Sequence, residues 1–312
     1  MAVAFERVAV VGATGPMGRA LVREFARRGH AVRAVSRSMA HLAAAFPYDP
    51  IERRVADARD VRQLSAALAG ADLVVDAIGL PVRETDQHVV SARTLAAVLR
   101  ASGAHALMVS STWSYMPITT LPLAETHARS GGPPLAAMRR EAEDALAAAG
   151  AGIVHLPDFF GPHVHDGTLQ LALSDAVAGR AMRWLGGRHV RRDYIFVPDA
   201  AALTVDLALC EDARGEHWIV PGSGAVSGAE IAAMASARLA RDVRLRPAGL
   251  AALRMLALFD RRLAGFLQIA PEYVKPVSYD ASRLERLLGP RPRTAYDQAI
   301  AKTLEWLMDA EA

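Results

Sequence analysis

Three glycines at a spacing of three, Gly12, Gly15 and Gly18, stand in residues 8–18, which read VAVVGATGPMG. An apolar run stops at Gly12 and a helical pattern follows, so the stretch reads as a strand, a tight turn and a helix start. In that setting each glycine has a use. Gly12 permits a sharp exit from the strand, Gly15 lets backbone approach a pyrophosphate, and Gly18 lets the helix pack against the strand, with phosphates at the positive helix N-terminus. Thr14, Pro16 and Met17 complete the turn as candidate dinucleotide contacts. About 20 residues further on, an NAD site usually carries an acid for the ribose 2′-hydroxyl. No Asp or Glu occurs between Glu24 and Asp49, and Ser36-Arg37-Ser38 stands there instead. A guanidinium flanked by hydroxyls can fork onto a 2′-phosphate, which favours NADP over NAD.

The elements that must position these groups follow in order. Strands are predicted over 31–35 and 52–57, the second ending in Asp57, a candidate to accept from the adenine amino group, to cap a helix over 59–68, or to do both at once. A fourth strand over 72–79 ends in Ala77, Ile78 and Gly79, small enough to admit cofactor backbone contact. A helix over 87–101 leads to a strand over 106–112, whose end gathers the hydroxyls Ser110, Ser111 and Thr112 where a doubly wound sheet binds its ligand. Residues 116–134 hold four prolines and a Gly-Gly pair and predict an ordered loop or a lid. A helix over 135–149 and a sixth strand over 152–156 precede Pro157-Asp158-Phe159-Phe160-Gly161-Pro162, in which Pro157 and Phe159 are further cofactor candidates.

This rhythm predicts an α/β fold, a Rossmann doubly wound parallel sheet with right-handed crossovers and a smaller, mainly helical C-terminal substrate lobe. The expected divisions are 1–162 for the dinucleotide domain, with 190–222 and 277–312 returning to it, and 163–189 with 223–276 for the lobe. Within 245–268, Leu253, Met255, Leu256, Leu258 and Phe259 at helical spacing predict core and an apolar substrate pocket. Such a pocket suits a hydrophobic carbonyl compound better than a nucleotide sugar.

Of 312 residues, 52% are hydrophobic, which excludes global disorder. The net charge is +3, and Lys275 and Lys302 are the only lysines. Arginines scattered among acids do not make a nucleic-acid surface. One cysteine, Cys210, excludes an intrachain disulfide or a multi-cysteine zinc site. No apolar run reaches 18 residues and the chain enters its first strand at once, so the expectation is a soluble, cytoplasmic protein without signal peptide or membrane partner. His163 and His165 lie two apart with no third ligand in view, so no metal site is assigned.

Several segments together carry a resemblance. Gly12-Ala13-Thr14-Gly15-Pro16-Met17-Gly18 is similar to a GATGxxG turn, and Val109-Ser110-Ser111-Thr112 to a strand ending in a catalytic Ser or Thr. Glu125 with the prolines after it, Phe159-Phe160-Gly161-Pro162, Arg192-Asp193-Tyr194-Ile195-Phe196-Val197-Pro198-Asp199, and Asp280, Leu288-Gly289 and Trp306 near the end also agree. On these the chain resembles the extended or atypical branch of the short-chain dehydrogenase/reductase superfamily, the NAD(P)-dependent epimerases/dehydratases. The resemblance implies hydride transfer by a bound nicotinamide, with Thr112 orienting a substrate carbonyl and Ser111 supporting it. Relatives are often dimeric, so a homodimer is an open expectation.

The chain departs from the family at its YxxxK pair. Aligned on Glu143, Leu135 stands for the tyrosine and Arg139 for the lysine. Two readings follow. In one the protein is a reductase, with Arg139 supplying charge to the ribose and Tyr115, three residues beyond Thr112, giving the proton. In the other it binds NADP without turnover, as a regulatory or redox-sensing protein. His155 occupies a place where relatives commonly have Arg and is left without a role.

Overall fold

The computed structural model describes residues 5–259 and 265–311. Its strands are β1 (Arg7–Val11), β2 (Ala31–Ser36), β3 (Glu52–Val55), β4 (Leu73–Asp76), β5 (His105–Ser111), β6 (Gly152–Leu156), β7 (Phe159–Phe160), β8 (Met182–Leu185), β9 (Arg191–Asp193), β10 (Ile195–Phe196), β11 (His217–Ile219), β12 (Ala225–Ser227) and β13 (Leu245–Ala248). Seven of them form one sheet in the order β11-β6-β5-β4-β1-β2-β3, every neighbouring pair parallel. The order reverses at β1, which pairs with both β2 and β4, and a reversal of this kind leaves a crevice beyond the strands' carboxyl ends. The expected doubly wound sheet is therefore present.

Alternation along β1 explains why both faces are covered. Val8 and Val10 point into one apolar layer with Leu21, Phe25 and Leu42, while Ala9 and Val11 point into the other with Leu64, Leu95 and Leu146. The first layer comes from α1 (Pro16–Arg27), α2 (Met39–Ala45) and, later in the chain, α7 (Val197–Leu209). The second comes from α3 (Val61–Leu68), α4 (Asp86–Ser102) and α5 (Pro134–Ala147). Each buried leucine or phenylalanine contributes about 1.5–3 kcal/mol, so the crevice is built on a rigid base.

A third apolar cluster belongs to the second lobe. In it α6 (Thr168–Val177) and α8 (Gly228–Leu239) pack with the C-terminal helix Tyr296–Glu311 through Leu169, Leu173, Ile231, Ala235, Ile300 and Leu304. The expectation that 277–312 returns to the dinucleotide domain is thus corrected for this helix, whose apolar stripe meets the lobe. The apolar expectation for 245–268 is corrected too. Helix α9 (Leu250–Ala257) buries none of its residues, and Met255, Leu256, Leu258 and Phe259 are 57–87% exposed. Residues 260–264 of that stretch lie outside the described residues. Apolar packing falls instead on Phe266, Ile269 and Tyr273, which meet Val82, Trp113, Met116, Leu135 and Leu185. Among the described residues, no helix is long and apolar enough to cross a membrane.

Candidate dinucleotide and substrate site

The glycine turn lies at the end of β1, beside β4. Gly12 has φ +78°, and a Cβ there would stand 2.7 Å from the Ala77 carbonyl oxygen. A Cβ on Gly18 would stand 2.2 Å from the Gly12 oxygen, so the turn admits no side chain at either position. Gly15 caps α1 in an extended conformation, and an added Cβ would meet nothing nearer than the Gly12 oxygen at 3.5 Å. The surface over Gly15 is open, at a helix N-terminus whose amides face outward. Pro16 opens the helix, where its missing N–H is no loss. Met17 turns its side chain into the core and leaves only backbone at the turn. Thr14 Oγ1 lies 3.0 Å from Ser36 Oγ, tying the turn to the end of β2. At the end of β4, Ala77 is buried, Ile78 donates its N–H to Asp76 Oδ1 at 3.0 Å, and Gly79 is exposed.

On the β2 rim, Arg37 is exposed and makes no hydrogen bond or ion pair among the described residues. Its neighbour Ser38 accepts from His41 N and caps α2. Asp57 accepts from the backbone N, Nε and Nη2 of Arg59 at 2.6–3.0 Å. That guanidinium holds the carboxyl down at about 2 against partial burial, and the charge of Arg37 adds to the effect. Of the two uses open to Asp57, the helix cap is corrected: Asp60 caps α3, accepting from Arg62 N and Gln63 N.

At the end of β5 the three hydroxyls divide. Ser110 donates to the buried carboxylate of Glu143, so its side chain is withdrawn from the cofactor surface where it was expected. Ser111 caps a 3-10 turn over Thr112–Tyr115. Thr112 Oγ1 lies 3.2 Å from the hydroxyl of Tyr279, 167 residues away. The same turn rotates Tyr115 inward. It is fully buried, packed with Leu123 and Ile219 and edge-on to His155, and its hydroxyl has no partner. Burial also raises its pKa. Tyr115 is therefore corrected as a proton donor, because no substrate at the β5 end can reach it. Leu135, in the tyrosine's place, is likewise buried, against Met116, Ile269 and Tyr273.

Arg139 sits between charges. Its Nη1 is 3.5 Å from His88 Nδ1, and the fields of Glu143 and Asp76 favour its charged form while burial lowers its pKa. Its Nε is buried with no hydrogen-bond partner among the described residues. Asp76 is raised to about 6 by burial, opposed by the Ile78 amide and by Arg139. After β6, Pro157 is buried, Asp158 Oδ1 accepts from Tyr273 OH at 2.8 Å, and Phe159 enters β7 beside β10. The loop expected over 116–134 is ordered. The Ile219 amide donates to Glu125, Arg129 reaches Glu143 at 2.6 Å, and Leu123 bridges Tyr279.

Sequence reasoning left His155 unassigned, and the structure places it in a buried relay. His155 Nε2 meets His217 Nδ1 at 2.9 Å, and its Nδ1 is 3.2 Å from Ser114 Oγ and 3.6 Å from Glu143 Oε1. Burial, reinforced by the charge of Arg129, holds His155 neutral down to about 3, and burial beside the His155 imidazole and Arg129 holds His217 down to about 4. Glu143, His155 and His217 offer three metal-ligand atoms within 4.8 Å of one another. Arg129 already neutralises the carboxylate, however, and its charge and that of Arg139 bear on His155. The group is complete as a hydrogen-bonded network. Spacing alone could not have found it, since its members come from α5, β6 and β11. His163 and His165 do not join it; both pack against Trp306, far along the chain.

The comparisons agree with this geometry. Residues 12–153 match a family model described as NAD(P)H-binding. The dTDP-glucose 4,6-dehydratase of Neisseria meningitidis serogroup B is 25% identical over 151 residues, which are 48% of this chain and 40% of that enzyme. The match thus spans well under half the length of the curated relative. The structure of UDP-glucose 4-epimerase from Bifidobacterium longum, in complex with NAD+ and UDP, superposes with a TM-score of 0.80 at 20% identity, covering 98% of this chain and 99% of that one. The dTDP-glucose 4,6-dehydratase of Bacillus anthracis, in complex with NAD, gives 0.80 at 13% identity over 98% and 97%. Residues 12–153 are therefore similar to an NAD(P)H-binding family, and the chain as a whole shares the fold of these epimerase and dehydratase structures.

Proposed function

We propose that the protein is an NADP-dependent oxidoreductase acting on a small apolar carbonyl or hydroxyl compound. The observation that carries the cofactor choice is Arg37, an exposed guanidinium with no protein partner among the described residues, on the β2 rim beside the glycine turn. An acid that would accept from a 2′-hydroxyl is missing from that rim, and the nearest carboxylate, Asp57, is already paired with Arg59. The open backbone over Gly15 fits a pyrophosphate, Ser36 and Arg37 fit a 2′-phosphate, and the unpaired Nε of Arg139 fits the nicotinamide ribose. When bound, the nicotinamide supplies hydride chemistry. Thr112 orients the substrate oxygen and Ser111 fixes the turn that presents it.

The partly buried residues Val82, Trp113, Leu185 and Phe266, packed on the cluster that holds Met116 and Leu135, support an apolar substrate. The test is NADPH consumption against a panel of carbonyl compounds, followed by nicotinamide absorbance, with thermal protection by apolar ketones set against UDP-sugars. Turnover lost in Thr112→Ala supports the reading. Tight NADPH binding without turnover on the whole panel favours the noncatalytic sensor, and protection by UDP-sugars alone overturns the substrate class.

A further inference from the structure

Resting on the oxidoreductase reading, we propose that Tyr279 is the proton donor of this site, taking the role of the tyrosine that α5 lacks. Four other phenols come near the crevice or the lobe core, and each is committed; Tyr194 is buried in the lobe core against Trp184. Tyr115 is sealed in the interior. Tyr273 donates to Asp158 and accepts from Trp113 Nε1 at 3.1 Å. Tyr296 donates toward Asp193 and the Tyr194 carbonyl. Tyr279 differs in that its hydroxyl lies on Thr112 Oγ1, the hydroxyl that opens the 3-10 turn after β5.

Its position is fixed by backbone. The strap that carries it bridges Leu123 through Tyr279 and Arg192 through Val277. Leu123 N donates to the Ser278 carbonyl at 2.8 Å, and Asp280 N donates to the Leu123 carbonyl at 2.9 Å. The strap that follows the lobe segment 223–276 thus delivers a phenol to Thr112. Burial raises the phenol's pKa and keeps it protonated at neutral pH, as a donor must be, while Arg192 and Thr112 both favour the phenolate left behind.

The step balances as follows. The carbonyl carbon takes a hydride from a reduced nicotinamide dinucleotide, which leaves oxidised. The carbonyl oxygen takes the Tyr279 proton, so one phenol O–H breaks and one alcohol O–H forms. The Thr112 hydroxyl donates to the phenolate until water returns the proton. Water has a route, because Tyr279 also lines an open cleft of about 510 Å³ with Asp193, Gly222, Arg293 and Tyr296.

Two measurements on the full chain test this. Tyr279→Phe is expected to keep its NADPH affinity within about threefold, by quenching of tryptophan fluorescence, and to lose about 100-fold or more of carbonyl reduction with 4-nitrobenzaldehyde as probe. Tyr115→Phe, which removes an unpartnered hydroxyl, retains that activity within about threefold. The second readout needs no turnover. In protein carrying [13Cζ]tyrosine, the Tyr279 resonance, assigned by its loss in Tyr279→Phe, is expected to move by about 0.5 ppm or more between the NADP+ and NADPH complexes, since the oxidised ring adds a positive charge nearby. Retained reduction in Tyr279→Phe, or a Tyr279 resonance that is the same in both complexes, overturns the assignment while leaving the oxidoreductase reading in place. Failure to bind either dinucleotide overturns that reading itself, and this assignment with it.

Discussion

Removing the Arg37 guanidinium tests the cofactor assignment at its narrowest point. The side chain is exposed at the end of β2, so Arg37→Ala disturbs no packing and breaks no protein hydrogen bond or ion pair among the described residues. Whatever it changes must come from the ligand. A hydrogen bond to a charged group is worth about 1.5–3 kcal/mol, and exposure places this one toward the lower half, so about 2 kcal/mol is expected for the 2′-phosphate. That is about 30-fold in Kd for NADPH, with NADH changed by no more than about twofold, since its 2′-hydroxyl carries no charge. Fluorescence titration of both dinucleotides gives the ratio directly. Because the pair is exposed, the preference for NADPH should also shrink as salt rises. Arg59→Ala sharpens the test. It frees the Asp57 carboxylate from its ion pair, and a bare carboxylate near the 2′-phosphate should weaken NADPH more than NADH. Equal losses for the two dinucleotides in Arg37→Ala would refute the 2′-phosphate assignment and return the site to NAD.

Three further changes probe the frame. Gly18→Ala forces a Cβ to within 2.2 Å of the Gly12 oxygen and should lower stability by about 2 kcal/mol, whereas Gly15→Ala, at 3.5 Å, should leave the melting temperature unchanged and lose dinucleotide affinity; equal melting losses would remove the distinction between packing and ligand glycines. Arg129→Met strands the buried Glu143 carboxylate and should cost about 3 kcal/mol in urea unfolding, most of it recovered in the double variant with Glu143→Gln; no recovery would mean the ion pair is incidental. His155 is held neutral to about 3 in the fold and takes a proton near 6.5 when unfolded, so its contribution is intact above pH 6.5 and is lost as pH falls toward 3. Between pH 7 and pH 5, wild type should therefore lose about 2 kcal/mol relative to His155→Asn, and a pH-independent difference between the two would show that the imidazole is not kept uncharged.

The parts of this molecule that could be read from the sequence are those whose causes are local. Gly12 and Gly18 are required by contacts within a few residues or with the adjoining strand, and the alternation of Val8 and Val10 against Ala9 and Val11 dictates a strand buried on both faces. Ser36-Arg37-Ser38 could be read for the same reason, since its place follows from the length of one strand and one helix. The errors fell where position depends on distant chain. Tyr115 lies three residues beyond Thr112, but a 3-10 turn capped by Ser111 carries it to the opposite side. Ser110 looks like part of a hydroxyl cluster until α5 brings Glu143 beneath it. The hydrophobic residues of α9 have helical spacing yet are not buried among the described residues, whereas Ile269 and Tyr273, with no such periodicity, close over Leu135.

The same division separates binding from catalysis. The dinucleotide frame is one continuous segment, so its chemistry is written in consecutive residues and survives changes elsewhere. The proposed acid–base groups come from distant parts of the chain: Thr112 follows β5, Tyr279 arrives on a strap 167 residues later, and the carbonyls of Glu272 and Lys275 engage Arg192 from the adjoining turn. A helix that has lost its tyrosine therefore does not end proton transfer, provided another segment brings a phenol to the same hydroxyl. This also predicts how the two functions should come apart. Substitutions in the strap, such as Val277→Asp, should abolish turnover and leave dinucleotide affinity nearly intact, because Val277 bridges Arg192 and the glycine turn touches neither. Matched losses of affinity and turnover in that variant would mean that the strap supports the whole fold rather than the reacting end of the site.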